Sequence, residues 1–456
     1  MQKAKRILSV GLIVLMVCGV FGMSGCTSKA KTTTLTTKPV TLNLWTANDW
    51  KGVYDQTAAG ANYGDFYKYA ARFFTQEHKN VTINVQVVAG ADRDAKFSVA
   101  IQSHTQPDIY IGASFVTFDY AHDGLLVPLN DVITAKDKAD IPANIWSQVT
   151  ANGNIYCYPY YTENGLMAIN TDLVKQAGAT SLIPAPDAAG IVKWTPDQFK
   201  ALLQGVKSLK GVYPYGYFCG STQGDTYNVM LLEMFGAKLF SSDGSKVAIN
   251  SADGVKALQY LVDMKSAGLF APGPESLNVL DTYQMFLNKK LAVSIFNNVN
   301  YDALNNGLKA GTIAAPFNIQ LAYLPSTGAP MDYAYAMSSV VFKTNTDETN
   351  MAKQFVEFYT SEPYVDASLN MMPLKTSVAN KITDPVKVAI ADSAKYAVDF
   401  AQEAPGYNQL RAKLFPVLQA AMIGSKTPQQ ALDSYATTAN QVLQTGAQNS
   451  VLIKKK

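Results

Sequence analysis

A strand, a helix and a second strand follow one another in residues 41–87, TLNLWTANDWKGVYDQTAAGANYGDFYKYAARFFTQEHKNVTINVQV. Apolar residues alternate in Thr41–Trp45 and again in Val81–Val87, which predicts two strands. Asp65–Glu77 repeats apolar residues at helical spacing and predicts a helix between them. Strands of such a β–α–β unit pair in parallel through a right-handed crossover. The segment from Thr46 to Gly64 then lies at the carboxyl end of the first strand, where open α/β sheets bind ligands.

The same α/β alternation continues along the chain. A second helix is predicted from Asp92 to about His104, followed by a strand in Pro107–Gly112. Capping residues mark three later helices. The first begins after Thr195, with Gln198 completing a capping box, and is predicted to end at Gly211. The second is predicted from Ser251 to about Gly268, and the third begins after Thr427 and ends at Gly446. About 415 residues follow the N-terminal region, which suits two lobes better than one core.

The N-terminus is typical of a bacterial lipoprotein signal. Lys3, Lys5 and Arg6 precede the apolar run Ile7–Phe21, and small residues precede Cys26. This order predicts a signal peptide over residues 1–25 and a lipidated cysteine at Cys26. The alternative is an uncleaved transmembrane anchor, since the run is only a little shorter than a membrane span. Residues 26–39, rich in threonine and lysine, are predicted to be a flexible tether.

The charge balance argues against a nucleic-acid-binding protein. The chain has 38 Lys and Arg residues against 35 Asp and Glu residues, and three of the basic residues lie in the signal. A nucleic-acid footprint needs a clustered basic face, and none is visible. We therefore expect no nucleic-acid partner.

Two cysteines, Cys157 and Cys219, remain outside the N-terminal region. They either form one disulfide in an oxidising exterior or stay as two unpaired buried thiols. Their spacing does not decide between these alternatives.

A search for catalytic motifs gives no convincing match. The three histidines, His78, His104 and His122, are not paired at metal-ligand spacing and are expected at the surface, on or beside helices. The pair Asp92 and Asp94 resembles a short acidic metal motif, but aspartates are also favoured at the start of a helix. We therefore expect no enzyme activity, no metal and no organic cofactor.

Aromatic and amide side chains are abundant instead. The chain has 25 tyrosines, with a group in Ile155–Tyr161, and asparagines cluster in Asn297–Asn300 beside Tyr301. Sugars offer apolar C–H faces for stacking and hydroxyls that donate and accept, which these side chains can satisfy without charge. The alternative for each tyrosine is an ordinary strand residue with one face in a core.

Short motifs in a fixed order resemble family 1 extracellular solute-binding proteins, the group similar to maltose-binding protein. They cover residues 40–445 and include Leu42–Trp45, Arg72–Phe74, Pro107–Ile109, Gly124–Leu129, Asn152–Tyr156 with Pro159, Ile169–Leu173 with Gly178, Trp194–Phe199, Asp243-Gly244, Ile249–Ser251, Phe286–Ala292, Ala352–Phe358 and Pro373-Leu374. Relatives often carry a tryptophan where this chain has Asn297–Tyr301, so one stacking platform is lost or moved to Tyr301.

The resemblance implies a two-lobed α/β fold of the periplasmic-binding-protein type, with hinge strands between the lobes and the ligand in the cleft. The expected assignment is residues 40–161 and 318–344 for the first lobe, and residues 164–317 and 347–450 for the second. The first crossing is expected near Tyr161–Asn164, the second near residues 314–322 and the third near residues 342–347.

The same resemblance implies a monomeric binding protein on the extracytoplasmic face of the cell membrane. It would bind a sugar or oligosaccharide by closing its lobes and deliver it to the permease subunits of an ABC importer. Three alternatives remain at this point: a non-sugar polar solute, a sensory receptor as partner, and a secreted carbohydrate-active enzyme.

Eight residues are predicted to hold the ligand, from the family positions and from the rule that carboxyl-end loops face the cleft. They are Asp49, Trp50, Asp119, Glu163, Tyr227, Asn298, Tyr333 and Tyr407. Tyr227, Asn298 and Tyr407 are expected on loops. The alternative for Trp50 is a loop aromatic that packs on its own lobe.

Overall fold

Residues 41–87 form the β–α–β unit that the sequence predicts. Strand β1 (Val40–Ala47) and strand β2 (Val81–Val88) flank helix α1 (Asp65–Glu77). The two strands pair in parallel along their whole length, and strand β3 (Ile109–Ala113) pairs in parallel with the other edge of β1. The predicted parallel pairing is therefore confirmed.

The computed structural model describes residues 36–48, 62–89, 93–313, 315–361, 372–398 and 404–453. These residues all belong to one structural unit, Thr36–Lys456. Within them, no helix has the length and apolar character that crossing a membrane requires. The predicted signal peptide, Cys26, Asp49 and Trp50 lie outside the described residues.

The remaining elements complete a mixed α/β architecture. The other strands are β4 (Thr150–Ala151), β5 (Asn154–Ile155), β6 (Tyr158–Asn170), β7 (Tyr213–Tyr215), β8 (Leu291–Asn297), β9 (Ile319–Ala322) and β10 (Tyr333–Val341). The other α-helices are α2 (Arg93–Gln102), α3 (Ser114–His122), α4 (Ala135–Asp140), α5 (Ala143–Ser147), α6 (Thr171–Gln176), α7 (Pro196–Val206), α8 (Asp225–Glu233), α9 (Ala252–Ser266), α10 (Val279–Leu287), α11 (Asn298–Lys309), α12 (Thr346–Thr360), α13 (Thr376–Ala379), α14 (Pro385–Ser393), α15 (Tyr407–Met422) and α16 (Pro428–Asn449).

Strand β6 joins two parts of the main sheet. The strand order is β2-β1-β3-β10-β6-β8-β7, and β9 also pairs with β6. The first part of β6, Tyr158–Gly165, pairs with β10, and the part from Gly165 onward pairs with β8. The exchange of partners at Gly165 lies one residue beyond the predicted first crossing, Tyr161–Asn164.

The packing of two elements bears on the predicted lobes. The sequence assigns helix α12 to the second lobe, but this helix packs on α1, which is assigned to the first lobe. The ring of Phe355 in α12 lies 5.1 Å from the ring of Phe74 in α1. Strand β9, assigned to the first lobe, pairs with the distal half of β6 at Met167–Asn170. The lobe boundaries themselves stay a prediction.

The capping signals predict the starts of helices better than their ends. Thr195 and Gln198 form the predicted capping box of α7, and Thr427 and Gln430 form that of α16. However, α7 ends at Val206 rather than at Gly211, and α16 continues past Gly446 to Asn449. A Cβ atom on Gly446 would lie 2.6 Å from the Pro405 carbonyl oxygen. That glycine therefore permits close backbone packing and does not end the helix.

Two expectations about single residues have a clear outcome. His122 is buried at the end of α3, with its Nδ1 atom 2.7 Å from the Ser450 hydroxyl, so its expected surface position is wrong. Cys157 and Cys219 are both buried and unpaired. Burial raises the pKa of each thiol to about 12.

Candidate functional site

Six of the eight predicted ligand-binding residues lie in the described part of the chain. They are Asp119 in α3, Glu163 in β6, Tyr227 in α8, Asn298 in α11, Tyr333 in β10 and Tyr407 in α15. The expected loop positions of Tyr227, Asn298 and Tyr407 are wrong, because each lies in the first turn of a helix. Those helices begin directly after Gly224, Asn297 and Gly406, residue types that favour helix starts or tight turns.

Three of the predicted tyrosines belong to one continuous line of rings. The Tyr227 ring meets the Tyr333 ring edge to face at 4.9 Å, and Tyr333 stacks on Tyr335 at 5.2 Å. Phe115 follows at 4.9 Å from Tyr335, and Tyr407 at 5.9 Å from Phe115. We call Tyr227, Tyr333, Tyr335, Phe115 and Tyr407 the aromatic row. It runs from α8 across β10 to α3 and α15.

Sequence reasoning missed two members of this row. Tyr335 is two residues from Tyr333 in the same strand and therefore lies on the same face, a signal that the sequence contains. Phe115 lies in α3, all of whose residues are buried, so no amphipathic pattern distinguishes it.

The aromatic row lies where β6 exchanges its partners. In the pairing of β10 with β6, Tyr335 is opposite Glu163 and Tyr333 is opposite Gly165. A Cβ atom on Gly165 would lie 1.9 Å from a carbon of the Tyr333 ring. The ring of Tyr333 therefore covers Gly165, and only glycine leaves it room.

Glu163 contributes a carboxylate beside the row. It is half-buried, and its Oε2 atom accepts a hydrogen bond of 2.7 Å from the Tyr335 hydroxyl. Burial raises the pKa of Tyr333, and the charge of Glu163 raises it further. Tyr333 is consequently a neutral phenol at physiological pH, able both to donate and to accept.

Asparagines at the end of β8 supply amide groups nearby. Asn297 caps α11 and exchanges hydrogen bonds with Asn300. The Asn297 side chain also hydrogen-bonds to Tyr333, which lowers the pKa of that phenol. Asn298, the next residue, is fully buried, yet neither its amide oxygen nor its amide nitrogen has a partner among the described residues. Burying an amide without a hydrogen-bond partner costs free energy, so Asn298 is an unusual residue at this position.

A buried ion pair closes the α15 end of the row. The Arg411 guanidinium binds both carboxylate oxygens of Asp225, at 2.7 and 2.9 Å. It also lies over the Phe115 ring, 4.8 Å from its centre. Because the charges of Arg411 and Asp225 cancel, the pair adds no net charge to this end of the site.

Asp119 has partners within the protein. Its carboxylate accepts hydrogen bonds from the backbone N–H groups of Gly406, at 2.8 Å, and Asn408, at 3.1 Å. Burial raises its pKa, and these two hydrogen bonds lower it. The side chain therefore holds the start of α15, on both sides of Tyr407.

A buried polar cluster contacts the same part of β6, where Asp332 hydrogen-bonds to Asn164 and Gly165. Asp332 is fully buried and accepts a hydrogen bond from the Ser393 hydroxyl. Burial raises the pKa of Asp332 to about 8. A group at this pKa is mostly protonated at neutral pH, so the cluster adds little charge.

Metal-ligating residues do not gather near the row. In residues 36–48, 62–89 and the other described ranges, no three His, Cys, Asp or Glu side chains are placed to hold an ion. A cavity of about 350 Å³ is lined by residues 38–40 and 345–348, and one of about 550 Å³ lies between residues 246–251 and α16. Neither cavity includes a predicted site residue.

Comparisons with known proteins identify the family and the fold. The family model described as bacterial extracellular solute-binding protein matches residues 58–366. No curated protein sequence gives a significant match. The fold is similar to that of an ABC transporter solute-binding protein from Thermotoga lettingae bound with α-D-tagatose, with 21% identity, 88% of this chain and 99% of that chain covered, and a TM-score of 0.74.

Two further solved structures share the fold. An ABC substrate-binding protein from Listeria monocytogenes in complex with cycloalternan has 17% identity, coverage of 89% of this chain and 100% of that chain, and a TM-score of 0.73. A cyclic α-maltosyl-1,6-maltose binding protein from Arthrobacter globiformis has 22% identity, coverage of 90% and 100%, and a TM-score of 0.66. These likenesses establish the two-lobed periplasmic-binding-protein-like fold.

Proposed function

The chain belongs to the bacterial extracellular solute-binding proteins, and on this premise we propose that it captures a carbohydrate and delivers it to an ABC-type importer. The three solved structures compared above are of proteins that bind a monosaccharide or cyclic oligosaccharides. Their ligands support a carbohydrate for this chain, and their importer class supports permease subunits as its partners.

The aromatic row is the observation that carries the proposal. Four of its five rings are tyrosines, each ring contacts the next, and Glu163 and Asn297 hydrogen-bond to two of the tyrosines. Stacking rings hold the apolar face of a sugar, while phenol, amide and carboxylate groups hold its hydroxyls. The Arg411–Asp225 pair is internally neutral, which favours an uncharged solute over an anion.

A thermal-shift screen tests the proposed function. The panel contains neutral mono- and oligosaccharides, cyclic glucans, sugar acids and amino acids. A solute at 100 times its Kd should add about 2.7 kcal/mol to the free energy of unfolding. We expect that shift with a neutral carbohydrate. A shift with amino acids and none with any sugar would show that the solute belongs to another class.

Replacing Asn298 tests the amide that has no protein partner. Asn298→Leu removes no hydrogen bond from the ligand-free protein, so its free energy of unfolding should stay the same or rise. The affinity for the carbohydrate identified in the screen should fall about tenfold or more, because an amide contact is lost. Chemical denaturation and titration calorimetry measure the two effects.

The neighbouring asparagine provides the contrasting variant. Asn297 caps α11, so Asn297→Ala should lower the free energy of unfolding by about 1 kcal/mol. If Asn298→Leu destabilised the protein as much as Asn297→Ala and left the affinity unchanged, Asn298 would be a structural residue.

The lipid anchor is part of the proposal and is supported by the sequence alone. Cys26 follows an apolar run and small residues, the order that lipoprotein processing requires. Native protein expressed in a bacterium should fractionate with the membrane and yield a diacylated N-terminal peptide by mass spectrometry. Cys26→Ala should yield no such peptide. Native protein that retains residues 1–25 in the membrane would instead support the uncleaved transmembrane anchor.

A further inference from the structure

The first turn of α15 is capped by a residue from a distant part of the chain. Its own N-cap residue, Gly406, has a left-handed backbone with φ of 81° and offers no side-chain hydrogen bond. The first backbone N–H groups of a helix have no partner within the helix. Asp119, 287 residues earlier, accepts from Gly406 N–H, and its second oxygen accepts from Asn408 N–H.

Other groups on the same helix reinforce this contact. Phe115 and Asp119 are four residues apart in α3 and therefore share one face. The Phe115 ring contacts the ring of Tyr407, and the Val116 carbonyl accepts a hydrogen bond of 3.0 Å from the Asn408 amide. Helix α3 thus holds the α15 backbone on both sides of Tyr407.

The two helices are attached to different parts of the fold. Helix α3 follows β3 and packs on β3 and β10, whereas α15 packs most extensively on α16; it also packs on α3 itself, and on α9 and α8. The predicted lobes place α3 in the first lobe and α15 in the second. The bonds to Asp119 therefore span the predicted cleft, and separation of the lobes would break them.

We propose that Asp119 is an interlobe latch that places Tyr407 in the aromatic row when the lobes close, rather than a direct ligand contact. This proposal is argued from the geometry of the cap. The effect of the latch on ligand binding rests on the proposed function. An aspartate at a helix N-terminus also interacts favourably with the helix dipole. The latch therefore stabilises the closed arrangement before any solute binds.

Hydrogen exchange and small-angle scattering of the ligand-free protein test the latch. In Asp119→Ala, amide exchange in residues 404–410 should rise about tenfold, which corresponds to about 1.4 kcal/mol. The radius of gyration should increase, because the closed arrangement loses population. Asp119→Asn keeps one acceptor oxygen and should give intermediate values of both quantities.

Asp123→Ala is the matched control, because Asp123 is exposed at the end of the same helix. It should leave exchange in residues 404–410 and the radius of gyration unchanged. Native exchange in Asp119→Ala would overturn the cap. Faster exchange with a native radius of gyration would reduce Asp119 to a local cap and overturn the latch.

If Asp119→Ala does not fold, Asp119→Asn alone decides between these outcomes. None of these measurements uses a sugar, so a failed carbohydrate screen would count against the proposed function and not against the latch.

Discussion

Arg411→Met is expected to lower the free energy of unfolding by about 3–5 kcal/mol. Arg411 and Asp225 are 5% and 6% exposed at their side chains and form a bidentate pair. Methionine fills a similar volume but leaves the Asp225 carboxylate buried without its cation. The penalty for that unpaired charge is the main part of the expected loss, which urea denaturation followed by circular dichroism would measure.

Two further variants separate this effect from a loss of packing. Arg411→Met combined with Asp225→Leu removes both charges and should recover most of the lost stability. Lys68→Met removes one partner of an exposed pair with Asp65 and should change the free energy of unfolding by less than about 1 kcal/mol. A loss in Arg411→Met as small as that in Lys68→Met would mean that Asp225 is satisfied without Arg411.

Local patterns allowed much of the fold to be predicted. The alternation in β1 and β2 and the helical spacing in α1 are each visible within about ten residues, and all three elements occur where predicted. The family resemblance is confirmed by the family model and by the shared fold. Helix ends were less predictable, since Gly446 has a tertiary role that its neighbours in sequence do not reveal.

The candidate site was predictable only in part, because its contacts join distant positions. The family landmarks selected Tyr227, Tyr333 and Tyr407, which the structure places in one row. No local pattern links Arg411 to Asp225, 186 residues away. No local pattern links Asp119 to Gly406 either, 287 residues away, so the cap that Asp119 provides for α15 was not predictable from the sequence.

The aromatic row is built from side chains of four different elements. The row takes Phe115 from α3, Tyr333 and Tyr335 from β10, and Tyr227 and Tyr407 from α8 and α15. No single element holds enough of these groups to remove a polar solute from water. Strand β6 exchanges its partners at Gly165, the residue that the Tyr333 ring covers, so the geometry there decides where the central ring of the row lies.

Gly165→Ala is expected to be the most damaging change to the row itself. The new Cβ atom would lie 1.9 Å from the Tyr333 ring, so the ring must leave its place over β6. Its stacking on Tyr335 and its contact with Tyr227 would then be lost. Overpacking of this kind costs about 1–3 kcal/mol of unfolding free energy, and loss of the central ring should weaken carbohydrate binding about thirtyfold or more.

A double-variant cycle decides whether the clash with Tyr333 is the cause. In a Tyr333→Ala background there is no ring to displace, so Gly165→Ala should cost little further stability and little further affinity. Gly328→Ala serves as the control glycine, because the nearest atom to its new Cβ is the Ser326 hydroxyl at 3.8 Å. Suppose instead that Gly165→Ala lowers stability and affinity equally in the native and Tyr333→Ala backgrounds. That result would show that the β6 backbone requires the glycine, and that the position of the Tyr333 ring does not depend on Gly165.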